Sequence, residues 1–242
     1  MEHARRFVGA LEVRYLPEVS KVTDGALVRG ILGGTYPIEA MHFWAQNHYH
    51  LINNDIKNLA QYVTKARDEE EVEFFLLMTV AETKMLDSLY LLWRALGRNK
   101  EELVASEPYA AALARTNYFS VLALYATPGE IALAILLNFP LWANGAKRLS
   151  RGLKRNYGMG KKVPGTGMDD TDLLDRFSRS TPGFREMAVR IVSKDLSPDT
   201  EASMRRVGRL AVETEALVWE QYSSYASRVG LKMAPTKGRR RG

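Results

Sequence analysis

Glycine and proline fall far apart in this chain, and the segments between them are long and patterned for helices. Gly33-Gly34 closes one segment, and Pro37 opens the next as a first-turn proline. From 37 to 66, Met41, Trp44, Tyr49, Ile52, Ile56, Leu59, Tyr62 and Val63 recur at helical spacing. Residues 69–96 form another such segment, ended by Gly97, and 107–126 a third. Thr127-Pro128 joins an N-cap to a first-position proline, with Glu130 in the first turn. That pattern predicts a helix to about Tyr157, stopped by Gly158. A loop at 158–168 follows, then helix over 170–194 with a break near Thr181-Pro182-Gly183. Ser197-Pro198-Asp199 precedes a last helix to about Arg228. Neither an alternating strand pattern nor a short-period repeat is present, so the expected fold is all-α. It is one bundle of about seven or eight helices, mostly of 20–30 residues.

The 242 residues contain no cysteine, which excludes disulfides, thiolate metal sites and cysteine nucleophiles. The longest apolar run, Ile131 to Ala143, is broken by Asn138 and Pro140 and falls short of the roughly 20 residues a membrane span needs. The first thirty residues carry scattered charges and no signal-like apolar core. The chain is therefore read as cytoplasmic, with no membrane partner. Its formal charge is +6, yet the last eleven residues hold five bases and no acid, leaving +1 for the rest. The basicity belongs to a tail, which argues against a nucleic-acid partner beyond a weak tail contact. The expected division is a helical domain over 1–228 and a disordered, solubilising basic tail over 229–242.

Polar residues on apolar helix faces are the candidates for chemistry, because bundles build ligand sites from inward-pointing side chains. Glu215 shares a stripe with Ala211, Val218, Trp219 and Tyr222. A carboxyl there has a raised pKa unless paired, which suits acid–base work; the alternative is a structural hydrogen bond at the edge of the stripe. Glu82 sits among Phe75, Met78, Met85, Leu86 and Leu89. It faces a cavity, is protonated, or pairs internally with Lys84 or Arg115. Trp44, Asn47, His50 and Asn54 form one line that either binds a flat polar ring or faces solvent. The basic run Lys147, Arg148, Arg151, Lys154 and Arg155 reads as a solvated face at a helix C-terminus. The four histidines, His3, His42, His48 and His50, include one Glu-x-x-His pair, Glu39–His42, where a diiron site wants two, so a diiron site is rejected and neither metal nor cofactor is expected. The Gly-x-Gly pairs at 158–160 and 165–167 follow no strand, and no Gly-x-Ser-x-Gly elbow occurs.

Read together, GGTYPIEAMHFWAQNHYHL, a long helix with a mid-helix Glu, ATPGEIALAILLNFPLWANGAKRL, LKRNYG and ETEALVWEQY resemble the TenA/PqqC (TENA/THI-4) family over about residues 30–228. The resemblance implies a haem-oxygenase-like bundle around a central pocket, a homo-oligomer, and a small heteroaromatic ligand. Glu215, four residues before Trp219, matches the catalytic Glu of TenA. Gln46-Asn47 matches a Gln-Asp, so the pyrimidine-binding Asp is replaced by Asn47, and the Tyr that follows falls on His50. The nucleophilic Cys falls on Asn138 or Phe139, neither a nucleophile, and Trp142 falls where TenA has a pocket Tyr. Asn138, Pro140 and Asn144 thus interrupt an apolar helix where the family opens its pocket, and proline inside a helix bends it.

Three functions follow from the resemblance. The first is a cysteine-independent aminopyrimidine aminohydrolase in thiamine salvage. Glu215 activates water there; Asn47, His50, Glu82, Asn138 and Trp219 surround the ring, and Trp142 or Tyr118 stacks on it. The second is a ligand-binding or scaffolding member without turnover. The third is a PqqC-like cofactorless oxidase, whose histidine-rich signature is missing here.

Overall fold

The computed structural model describes residues 1–179 and 182–233, and the following statements concern those residues. They form eleven helices and no strand. The long segments stand where the sequence places them: α4 (Ala40–Lys65), α5 (Glu69–Ala95), α7 (Ala110–Tyr125), α8 (Pro128–Asn156) and α11 (Glu201–Met233). The additional helices are short. The first 33 residues divide into α1 (Glu2–Arg14), α2 (Leu16–Thr23) and α3 (Ala26–Gly33). Pro17 sits in the first turn of α2, and Gly34, at φ 65°, closes α3. Between α5 and α7 lies the five-residue α6 (Lys100–Val104), and the span before α11 holds α9 (Asp172–Phe177) and α10 (Phe184–Asp195). The last helix runs five residues past its expected end, so 229–233 is helical; the rest of the basic tail, 234–242, lies outside the described residues.

Helix α8 is the axis of the bundle. Thr127 and Glu130 form the reciprocal capping box that starts it. Of its 29 residues, 17 are buried, on faces turned to α2, α3, α9, α10 and α11. Such burial on nearly all sides needs small residues wherever a neighbour comes close. A Cβ on Gly152 would stand 2.6 Å from the Ile31 carbonyl oxygen of α3, and one on Gly145 2.5 Å from the Trp219 ring of α11. Opposite α8, the pair α4–α5 packs antiparallel, with α5 started by Asp68, whose carboxylate accepts from the Glu71 N–H. The basic run on α8 faces outward: Arg148 pairs with Asp24 and Lys154 with Asp175, binding α8 to the α2 end and to α9.

Candidate functional site

Five helices leave a cavity of about 70 Å³ between them. α4 contributes Asp55, Asn58 and Tyr62; α5 contributes Met78 and Glu82; α7 contributes Arg115 and Phe119. α8 adds Asn138, Phe139 and Trp142, and α9 closes one side with Phe177, whose ring stacks on Trp142 at 5.1 Å. The walls are mainly apolar, with the polar groups gathered around one guanidinium.

Arg115 is that guanidinium, buried on α7 and ion-paired through Nη1 to Asp55. Its Nε donates to Glu215 Oε2 at 3.3 Å. Asn138 Nδ2 donates to the same oxygen at 3.1 Å. Burial opposes the charge on Arg115, but Asp55, Glu215 and Glu82 outweigh it and hold the cation above its ordinary pKa. The carboxyls respond the other way. Burial raises Asp55 and Glu215 against the pull of Arg115. Burial pushes Glu82 up to about 8, the negative charge of Asp55 adds to the rise, and Arg115 opposes it. Glu82 makes no ion pair among the described residues, and its sealed Oε2 has no hydrogen-bond partner. The site therefore sets a carboxyl pushed up to about 8, Glu82, beside the Asp55–Arg115 ion pair.

The expected site residues divide between the cavity wall and its surroundings. Glu82, Asn138 and Trp142 line the cavity. Glu215 is wholly buried but does not line it; its hydrogen-bond partners Arg115 and Asn138 do. That corrects the expectation of Glu215 as the acid facing the chamber. Trp219 packs behind Trp142 at 5.6 Å, outside the wall. Tyr118 also lies elsewhere, donating its hydroxyl to the Val207 carbonyl. Asn47 and His50 leave the site as well. Asn47 donates to the Phe43 carbonyl and accepts from the Tyr109 N–H, which starts α7. His50 meets the Ser106 hydroxyl at 3.1 Å, and Asn54 donates to Ser120. The polar line on α4 is thus the seam that satisfies polar groups of the α6–α7 connection, at Ser106 and Tyr109, and of α7 itself, at Ser120. Asn144 faces solvent and donates back to the Pro140 carbonyl.

Asp55 escapes the sequence reading, although the pattern that singles out Glu215 and Glu82 also marks it. Ile52, Leu59 and Tyr62 stand three, four and seven residues away. His48 escapes it too. This histidine is fully buried, stacked on Trp44 at 3.7 Å and edge-on to Trp142 at 4.1 Å. Burial depresses its pKa, so it is a neutral imidazole inside an aromatic cluster. Among the described residues, no group of three or more histidines and carboxylates is placed to hold a metal ion.

The model of the TENA/THI-4/PQQC family matches residues 26–170. No curated protein matches the chain. Solved structures are similar over nearly its full length. A TenA family transcription regulator from Silicibacter sp. TM1040 is 18% identical, with 90% of this chain and 96% of that one covered and a TM-score of 0.72. A TenA homologue from P. horikoshii OT3 is 17% identical, covering 90% and 99%, at 0.69. Heme oxygenase-1 from Synechocystis sp. PCC6803, in complex with heme, is 11% identical, covering 93% and 96%, at 0.67. At these identities the likeness establishes a heme-oxygenase-like fold.

Proposed function

From the premise that this chain belongs to the TENA/THI-4/PQQC family, we propose that it binds a small heteroaromatic amine in the α4–α5–α7–α8 cavity and hydrolyses it without a cysteine. The observation that carries this reading is Glu82, a buried carboxyl with an unpartnered oxygen on a cavity wall, beside the Asp55–Arg115 pair. Two carboxyls whose surroundings give them different protonation are the means by which one site runs both acid and base steps. The substrate is an aminopyrimidine of the thiamine-derived class. Glu82, protonated at neutrality, donates a proton to a ring nitrogen and draws electrons from the adjacent carbon. Asp55 accepts a proton from a water as that water adds to the carbon. Asp55 passes that proton to the leaving nitrogen, the C–N bond breaks, and the added hydroxyl returns a proton to Glu82, so that ammonia and the oxo tautomer of the hydroxypyrimidine result. Arg115 holds Asp55 ionised. Glu215, itself held by Asn138, fixes Arg115 from behind, so Glu215 is a positioning residue. Trp142 and Phe177 offer the ring a face.

Ammonia release from 4-amino-5-hydroxymethyl-2-methylpyrimidine tests the reading. Turnover that falls by about two orders of magnitude or more in Glu82→Gln, with the fold intact, supports it. Turnover unchanged in Glu82→Gln overturns it. A second reading, ligand binding without turnover, is favoured by one observation: Asn138 and Phe139 stand where the family nucleophile would fall. Binding of the pyrimidine with no ammonia released selects that reading.

The homo-oligomer implied by the family is supported by α7, whose outward face carries Leu113, Val121, Leu124 and Tyr125 and no charged residue. Among the described residues, no helix is long and apolar enough to cross a membrane.

A further inference from the structure

The cavity is too small to enclose the ring proposed for it. About 70 Å³ is half the roughly 150 Å³ of an engineered cavity that holds benzene. A six-membered ring seated against Glu82 must project outward, and the shape of the wall says where. A second recess, of about 400 Å³, shares Met78, Glu82, Phe139 and Phe177 with the first. The two adjoin, with those four side chains as their common wall.

Polarity reverses from one recess to the other. The inner cavity sets Asp55 and Glu82 beside Arg115, the only cation on its wall among the described residues, with Glu215 behind Arg115. The outer recess is lined by the bases Lys84, Arg176 and Arg179, and among the described residues Glu82 is its only acid. Arg176 is committed to Asp172 on its own helix, α9. Lys84 and Arg179 have no ion-pair partner among the described residues, and both are exposed. A carboxyl that stays protonated at neutrality, as Glu82 does, leaves those two charges unopposed. A ligand that matches both ends carries a hydrogen-bond donor inward and an oxyanion outward.

We propose that the outer recess is a subsite for an anionic substituent on the ligand, a phosphate monoester or a carboxylate, read by Lys84 and Arg179. The proposal rests on the reading of the inner cavity as a ring site and narrows its substrate class to ring compounds with an acidic tail.

Calorimetric titration of the full chain with benzyl alcohol, benzyl phosphate and phenylacetate tests this without the pyrimidine chemistry. At low salt, about 50 mM, at least one anion binds about tenfold or more tighter than the alcohol, and the gap shrinks several-fold at about 300 mM. Preference for the phosphate over the carboxylate, or the reverse, identifies the group that is read. Lys84→Gln combined with Arg179→Gln, confirmed folded by thermal melt, brings the anions to the affinity of the alcohol. Anions that bind no tighter than the alcohol, or a gap that survives the double variant, overturn the subsite. Ammonia release lost with the salt-sensitive gap intact counts against the hydrolase alone, and the converse against the subsite alone.

Discussion

Two carboxyls, Asp55 and Glu215, share one buried guanidinium in this protein, a third, Glu82, lies near it unpaired, and single substitutions separate their roles. Glu82 is the most direct to test, because its folded pKa is raised while the unfolded value is ordinary. The native state then binds the extra proton, and the cost of holding Glu82 grows as pH rises from about 4.5 to about 8. Glu82→Gln removes that cost. The variant should gain stability relative to the parent between pH 5 and pH 9, by the order of a few kcal/mol at the alkaline end, since every tenfold difference in proton affinity is worth about 1.4 kcal/mol. Denaturant melts across pH would show it, and a stability difference that does not grow with pH would mean that Glu82 titrates alike in the folded and unfolded chain. The same group sets the activity profile. If protonated Glu82 is the acid, kcat/KM falls as pH passes about 8. Arg115→Met should lose about 3–5 kcal/mol by leaving Asp55 and Glu215 buried without their cation, and adding Asp55→Asn and Glu215→Gln should recover most of it. No recovery in urea melts would mean that Arg115 acts through packing instead. At this scale the sequence is legible for acids and unreliable for amides. A carboxyl among apolar neighbours is costly wherever the fold goes, so Glu82 and Glu215 announce themselves. An asparagine such as Asn47 serves ligand and backbone alike, and only the course of the α6–α7 connection decides between them.

At the scale of elements, α8 shows how sequence breaks relate to the site. Asn138 and Trp142, on either side of Pro140, both reach the cavity wall, while Asn144 turns to solvent. The interruption is thus half pocket and half surface, which helical phase resolves once the neighbours are known. Boundaries are legible where Gly, Pro or a capping residue stands, as at Thr127 and Gly97. In residues 1–33 Pro17 and Gly25 do stand at the two joints, but the helices they separate have only 13, 8 and 8 residues, too short for the long periodic pattern that marks the others. The glycines inside α8 make a prediction of their own. Gly152→Ala pushes a Cβ onto backbone of α3, which cannot turn aside, and Gly145→Ala pushes one onto the Trp219 side chain. Both should destabilise, Gly152→Ala by about 3 kcal/mol or more and Gly145→Ala by about 1–2, because overpacking is relieved only where a side chain can move. Equal losses in chemical denaturation would show that the two crossings yield alike.

At the scale of the molecule, the all-α architecture follows from the length of uninterrupted helical patterning, because no other arrangement buries faces that repeat every 3.6 residues over 20 to 30 positions. The arrangement around a cavity does not follow from patterning, since three helices, α4, α5 and α7, must first be brought together before Asp55, Glu82 and Arg115 meet. One helix remains unexplained by the isolated chain. In α7, the one charged residue, Arg115, points inward, and the outward face carries Leu113, Val121, Leu124 and Tyr125 with Asn117 among them, Tyr125 being 81% exposed. A helix face of large apolar side chains is normally covered. Leu217 of α11, itself half exposed, lies on a helix packed against α7 and extends the patch. A second copy offers the same uncharged surface, and a two-fold axis lets each patch cover the other. Sedimentation should then find a dimer or larger species at micromolar concentration. Leu124→Lys with Tyr125→Lys should shift it toward monomer, because apposed like charges and lost apolar area act together at the same contact. A parent chain that sediments as a monomer would leave α7 bare and withdraw the assembly. A double variant that stays assembled would move the contact to another face.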